Sequence, residues 1–69
     1  MMVPFAERLR KTRKEKGMKL REVATHLGMT TRAYQYYEGG RRRPDFETLV
    51  MLADLLEVTT DYLLGRTDE

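Results

Sequence analysis

The stretch "LREVATHLGMTTRAYQYYE", residues 20–38, decides the fold. Val23, Ala24 and Leu27 fall on one stripe at helical spacing, which predicts a helix over about Leu20–Leu27. Gly28 then breaks the pattern. Thr30 can accept a backbone N–H at a helix start, so a second helix is expected from there to Glu38, ahead of Gly39-Gly40. Only "GMT" separates the two. So short a join forces a tight corner, with Gly28 supplying backbone freedom and Met29 an apolar plug. Two helices joined this way make a helix-turn-helix unit.

Outward from this unit, three more helical patterns appear. One covers about Pro4 to Lys16. Pro4 suits a first helical turn, Phe5 and Leu9 share a face, and Gly17 can end the helix in the left-handed conformation. Another begins after Asp45, a good cap, and carries Phe46, Leu49, Leu52, Ala53 and Leu56 at three- and four-residue steps. The last is short, capped by Thr59, with Asp61 in its first turn and Leu64 at its end. Gly65 stops it. No strand-like alternation and no internal repeat is present. The chain therefore reads as one all-α domain over 1–69, with a core of about 5–65 and a frayed tail at 66–69.

A chain of 69 residues buries a modest core, and the absence of Cys rules out disulfides and thiolate metal sites. No apolar run approaches the roughly 20 residues that cross a bilayer, and the N-terminus lacks the pattern of a signal peptide. These features fit a reducing cytoplasm. The net charge of +2 conceals a segregation. Residues 1–43 carry twelve Lys and Arg against four acids, net +8, whereas residues 44–69 carry one Arg against seven acids, net −6. A basic half joined to an acidic half suggests a polyanion-binding face with a distinct back.

With these pieces in order, "LREVATHLGMTTRAYQYYEGGRRRPDFETLVMLADLLEVTTDYLLG" resembles the phage-repressor/Cro-type (XRE family) helix-turn-helix domain. Ala24, the Gly28 corner, Glu38 and Gly40 in "YEGG", Pro44, and the closing "LADLLEVTTDYLLG" carry the resemblance. It implies a compact five-helix bundle of the lambda repressor-like DNA-binding fold. The third helix would lie in the major groove of double-stranded DNA and the second would cross the backbone. It also implies a homodimer on a pseudo-palindromic operator, a role as transcription regulator, read as a repressor, and a place in the prokaryotic or phage cytoplasm with the nucleoid.

On this resemblance Tyr34 and Tyr37, three apart, face the core, and a buried Tyr needs a hydroxyl partner or a place at the rim. Thr31, Arg32, Gln35 and Tyr36 occupy the other face as base-contacting candidates. Gln pairs bidentately with adenine and Arg with guanine. Backbone contacts are assigned to Arg13, Lys19, Thr30, Gly40, Arg41, Arg42 and Arg43. Such contacts fix register without reading sequence. Arg13 and Glu38 are expected to form a structural ion pair between helix one and the end of helix three. Lys19 and Leu20 stand where the family commonly has a capping residue and an amide, and Lys19 can replace that contact only electrostatically.

An enzyme is not expected. Ser and Cys are absent, so the commonest nucleophiles are missing, and His26, the single His, reads as a surface residue that cannot build a zinc site. No cofactor, metal or small-molecule substrate is implied. A second reading is a protein-interaction or antitoxin-like module, using Val58, Tyr62, Leu63 and Leu64 of the acidic half.

Overall fold

The computed structural model describes residues 4–67. Within them the chain forms α1 (Phe5–Glu15), α2 (Leu20–His26), α3 (Thr31–Glu38), α4 (Phe46–Leu56) and α5 (Thr60–Leu63), and no strand. Local chemistry sets the starts. The Thr30 hydroxyl accepts from the Ala33 N–H at 3.1 Å, the Asp45 carboxylate from the Thr48 N–H at 2.8 Å, and the Thr59 hydroxyl from the Tyr62 N–H at 3.0 Å. Each thereby satisfies one of the unpaired donors of a helix start. Lys19 has no side-chain acceptor to offer. Glu22 compensates by reaching back to accept from the Lys19 N–H at 2.8 Å.

All five helices close alike. An N–H two or three residues past the helix end returns to a carbonyl five residues earlier: Met18 to Arg13, Met29 to Ala24, Arg41 to Tyr36, Val58 to Ala53, Arg66 to Asp61. This closure needs one left-handed residue before the donor. At the corner of the helix-turn-helix unit Gly28 fills that role at φ 71°. After α4 the position falls to Glu57, at φ 58°, which is a side-chain-bearing residue in a conformation that costs about 1–2 kcal/mol in general. Its carboxylate meets the Lys16 ammonium at 2.8 Å, tying the end of α4 to the end of α1.

The core is built from Leu9, Val23, Ala24, Tyr34, Tyr37, Leu52, Ala53, Leu56 and Leu63. Helix α3 packs on α1 and α2, while α5 packs on α4 and α1. Truncating one of the fully buried leucines to Ala costs about 2–5 kcal/mol. That is a large share of the roughly 5–15 kcal/mol that holds a domain folded.

Three expectations need correction, and one burial had no reading at all. Phe46 does not join the core and is 88% exposed. It shares the stripe of Leu49, Leu52, Ala53 and Leu56 but sits in the first turn, where no neighbouring element covers it. Of the acidic-half surface, Leu63 is fully buried and Val58 and Tyr62 are half-buried, because α5 must cover α1 and α4. Only Leu64 counts as exposed. Tyr34 is fully buried, yet its hydroxyl has no hydrogen-bond partner. Finally, Arg8, a surface type by composition, is buried. Its guanidinium lies 4.4 Å from the Tyr62 ring centre and donates to the Thr67 carbonyl at 2.9 Å. That bond, and the one from the Arg66 N–H to Asp61, tie down the first two residues of the expected frayed tail. Asp68 and Glu69 lie outside the described residues.

Candidate nucleic-acid interface

Helix α3 has two unlike sides. On the inner side Tyr34 and Tyr37 pack edge to face, ring centres 6.2 Å apart and planes at 88°, the arrangement that opposes a ring edge to a ring face. On the outer side Arg32 and Gln35 are exposed, and Thr31 and Tyr36 are half-buried. Arg32 and Tyr36 lie one turn apart, and the Arg32 Nε–H points to the Tyr36 hydroxyl at 3.4 Å, a long bond. This i, i+4 pairing is visible in the sequence spacing once the face is known.

The orientation of α3 is set from below by Arg13. Its Nε donates to Glu38 Oε2 at 2.7 Å and its Nη2 to Oε1 at 3.1 Å, the bidentate fork geometry, while Nη1 donates to the Met18 carbonyl at 2.8 Å. Only 10% of the Arg13 side chain and 7% of the Glu38 side chain remain exposed. The bond to Glu38 raises the Arg13 pKa further above its ordinary value, against the opposing effect of burial. Three of the five N–H donors of Arg13 are thus turned inward, so its first duty is to hold α3 against α1. Burial, and then the nearby Glu38, push the Tyr34 phenol upward as well, so this ring stays neutral inside the bundle.

Beyond α3 the chain turns sharply. The Gly40 N–H bends back to the Tyr37 carbonyl at 3.3 Å, and the Arg41 and Arg42 amides both reach the Tyr36 carbonyl, at 2.9 and 3.2 Å. The loop is therefore pinned by its backbone while the side chains of Arg41, Arg42 and Arg43 project outward, exposed. None of the three forms an ion pair among the described residues. Lys19 and Thr30 are exposed at the starts of α2 and α3. Arg32 and Gln35 on one helix face, with three arginines immediately after it, form a surface that offers hydrogen-bond donors and positive charge with little internal competition.

Next to the arginine loop opens a groove of about 550 Å³, lined by Phe5, Ala6, Leu49, Leu64 and Phe46, with Arg42 and Arg43 beside them. Nothing in the residue pattern marks it, because Phe46 continues the helical spacing of the buried residues. His26 is exposed. No cluster of three or more metal-ligating side chains occurs among the described residues, and no helix among them is long and apolar enough to cross a membrane.

Residues 9–63 match the family described as Helix-turn-helix. Over 66 residues the chain is 44% identical to YqaE of Bacillus subtilis, an HTH-type transcriptional regulator, covering 94% of this chain and 57% of that protein. It is 40% identical over 65 residues to RstR of Vibrio cholerae, the transcriptional repressor of the cryptic phage CTXphi, covering 91% and 58%. The chain thus spans a little over half the length of these relatives. Among solved structures, the P22 c2 repressor in complex with a synthetic operator superimposes with a TM-score of 0.86 at 26% identity, covering 94% of this chain and 98% of that one.

Proposed function

Because this chain belongs to the helix-turn-helix family, we propose that it is a sequence-specific DNA-binding transcription regulator acting as a repressor. The observation that carries the reading is the division of α3. Tyr34 and Tyr37 are locked inward, and Arg32 and Gln35 stand outward beside the exposed Arg41–Arg43. A rod with donors on its free side and cations at its end suits a major groove and its flanking phosphates. YqaE and RstR, a regulator and a repressor by name, and the operator-bound P22 c2 repressor support the same reading.

In this proposal Arg32 and Gln35 touch base edges, and Thr31 and Tyr36 flank them. Lys19, Thr30, Gly40, Arg41, Arg42 and Arg43 meet the backbone. Arg13, with three of its five N–H donors held by Glu38 and the Met18 carbonyl, has two left to offer a phosphate. Two copies bind a pseudo-palindromic site with recognition helices about 34–36 Å apart, one turn of B-DNA. The setting is the cytoplasm of a prokaryotic cell.

The test is selection of bound fragments from random duplex DNA, followed by titration of the selected site across salt. A symmetric consensus is expected, with an affinity that falls steeply as salt rises, by about 0.9 per neutralised phosphate on the log–log slope. Enrichment of no sequence, or an affinity indifferent to salt, refutes the reading.

A further inference from the structure

Of the four candidate contacts on the outward side of α3, two touch each other. Arg32 and Tyr36 stand one helical turn apart, and the Arg32 Nε–H donates to the Tyr36 hydroxyl oxygen at 3.4 Å. Helical side chains lean back toward the N-terminus, so the hydroxyl of the later residue reaches the stem end of the earlier guanidinium. Tyr36 is half-buried and Arg32 exposed, so the ring is the better anchored of the two. Thr31 and Gln35 beside them have no such restraint among the described residues.

Which nitrogen is engaged decides what the guanidinium can still do. Arg has five N–H donors, one on Nε and two on each Nη. It can meet two acceptors at once side-on, through Nε and one Nη, or end-on, through both Nη nitrogens. With the Nε–H turned to Tyr36, the side-on mode is closed. Both Nη nitrogens are left free among the described residues, and they offer donors only. In the major groove guanine alone sets two acceptors, O6 and N7, side by side. Adenine puts an amino donor beside its N7, cytosine shows a donor, and thymine shows a single acceptor and a methyl group. The bond to Tyr36 is long and exposed, hence weak in itself. Its effect is preorganisation: a long side chain already held in the reading geometry loses less rotamer freedom on contact.

We infer that Tyr36 is a positioning residue for Arg32. It holds the Nε side of the guanidinium so that the two Nη nitrogens meet O6 and N7 of one guanine in the bound duplex. Tyr36 thereby sharpens recognition without touching a base. This rests on the DNA-binding reading above and adds to it the base that Arg32 reads, the mode of contact and the source of its precision.

The experiment is selection of sites from random duplex DNA with the wild-type chain, Arg32→Ala, Tyr36→Phe and the double variant, followed by competition binding on the wild-type site. Tyr36→Phe keeps the ring and removes only the acceptor, so its helical circular dichroism and melting temperature should match wild type. The wild-type chain should require guanine at one position. Arg32→Ala should lose roughly five- to hundredfold of discrimination there. Tyr36→Phe should lose about two- to tenfold at that same position and at no other, the size expected of one hydrogen bond. The double variant should lose no more than Arg32→Ala, because a positioning residue then has nothing to position. Replacing that guanine by 7-deazaguanine, which lacks the N7 acceptor, should weaken wild type about tenfold and leave Arg32→Ala unchanged.

Four results overturn the inference while leaving the DNA-binding reading in place. A Tyr36→Phe loss that adds in full to that of Arg32→Ala makes the hydroxyl a DNA contact in its own right. A loss spread evenly over all sequences makes it a backbone contact. Unchanged discrimination in Tyr36→Phe means that Arg32 orients itself. A requirement for any base but guanine at the position that Arg32→Ala releases refutes the end-on fork. A wild-type chain that enriches no sequence fails one step earlier and removes the DNA-binding reading, and this inference with it.

Discussion

Tyr34 holds a hydroxyl inside the bundle with no hydrogen-bond partner, although Glu38 is near enough to help keep the phenol protonated. A buried hydroxyl without a partner carries a desolvation penalty of about 1–3 kcal/mol. Tyr34→Phe should therefore leave stability unchanged or raise it by up to about 1 kcal/mol in urea unfolding. A loss of that size would mean that Glu38 accepts from the hydroxyl after all. On the outer side the expectation concerns recognition and not stability. Arg32 is exposed and already leans on Tyr36, so Arg32→Ala should barely move the melting temperature. In competition binding it should lose about 1–3 kcal/mol of discrimination at one base pair of the selected site. A uniform loss over all sequences would make Arg32 a backbone contact.

At the scale of elements, much of this molecule is written in short-range chemistry. Thr30, Asp45 and Thr59 cap α3, α4 and α5 as their residue types demand, and Gly28 turns the corner. These signals act over three or four residues, so the sequence alone locates them. The missed features depend on partners far along the chain. Nothing local marks Glu57 for the left-handed region, or Arg8 for burial over Tyr62, or Phe46 for exposure. The outward face of α3 was legible only through the family resemblance, because periodicity names a stripe without saying which side the bundle covers. Two substitutions probe the termini. Hydrogen bonding from Thr48, by its side chain first and its N–H second, holds the Asp45 carboxyl below its ordinary range. A carboxyl lowered on folding adds stability that is present above its unfolded value, near 3.9, and fades as pH falls through the folded value. Asp45→Asn keeps a good cap but cannot titrate, so its stability should decline less than wild type below about pH 4 in acid titrations followed by circular dichroism. Glu57→Gly relieves the left-handed side chain and gives up an exposed pair with Lys16, which is worth little in water. The relief is the larger effect, so the midpoint of urea unfolding should rise.

For the molecule as a whole, Arg13 is the residue that makes one body of several segments. Its guanidinium joins α1, the Met18 turn and the last residue of α3. Replacing it leaves the largely enclosed Glu38 carboxylate unpaired. Arg13→Gln should cost about 2 kcal/mol in urea unfolding, short of the roughly 3–5 kcal/mol of a fully buried pair because this one sits near solvent. Replacing Arg13 and Glu38 together by apolar residues should recover most of that loss. Persistence of the full loss in the double variant would show that the Met18 contact, and not the charge pair, holds the segments.

The same clamp has a thermodynamic corollary for docking. A reading helix bolted to its neighbours has no separate freedom to surrender when it meets a ligand. Calorimetry of the encounter should then give a heat-capacity change that the covered surface alone explains, without the excess that marks a segment ordering itself. Amides of α3 should likewise exchange with deuterium no sooner than those of α1, since neither can open alone.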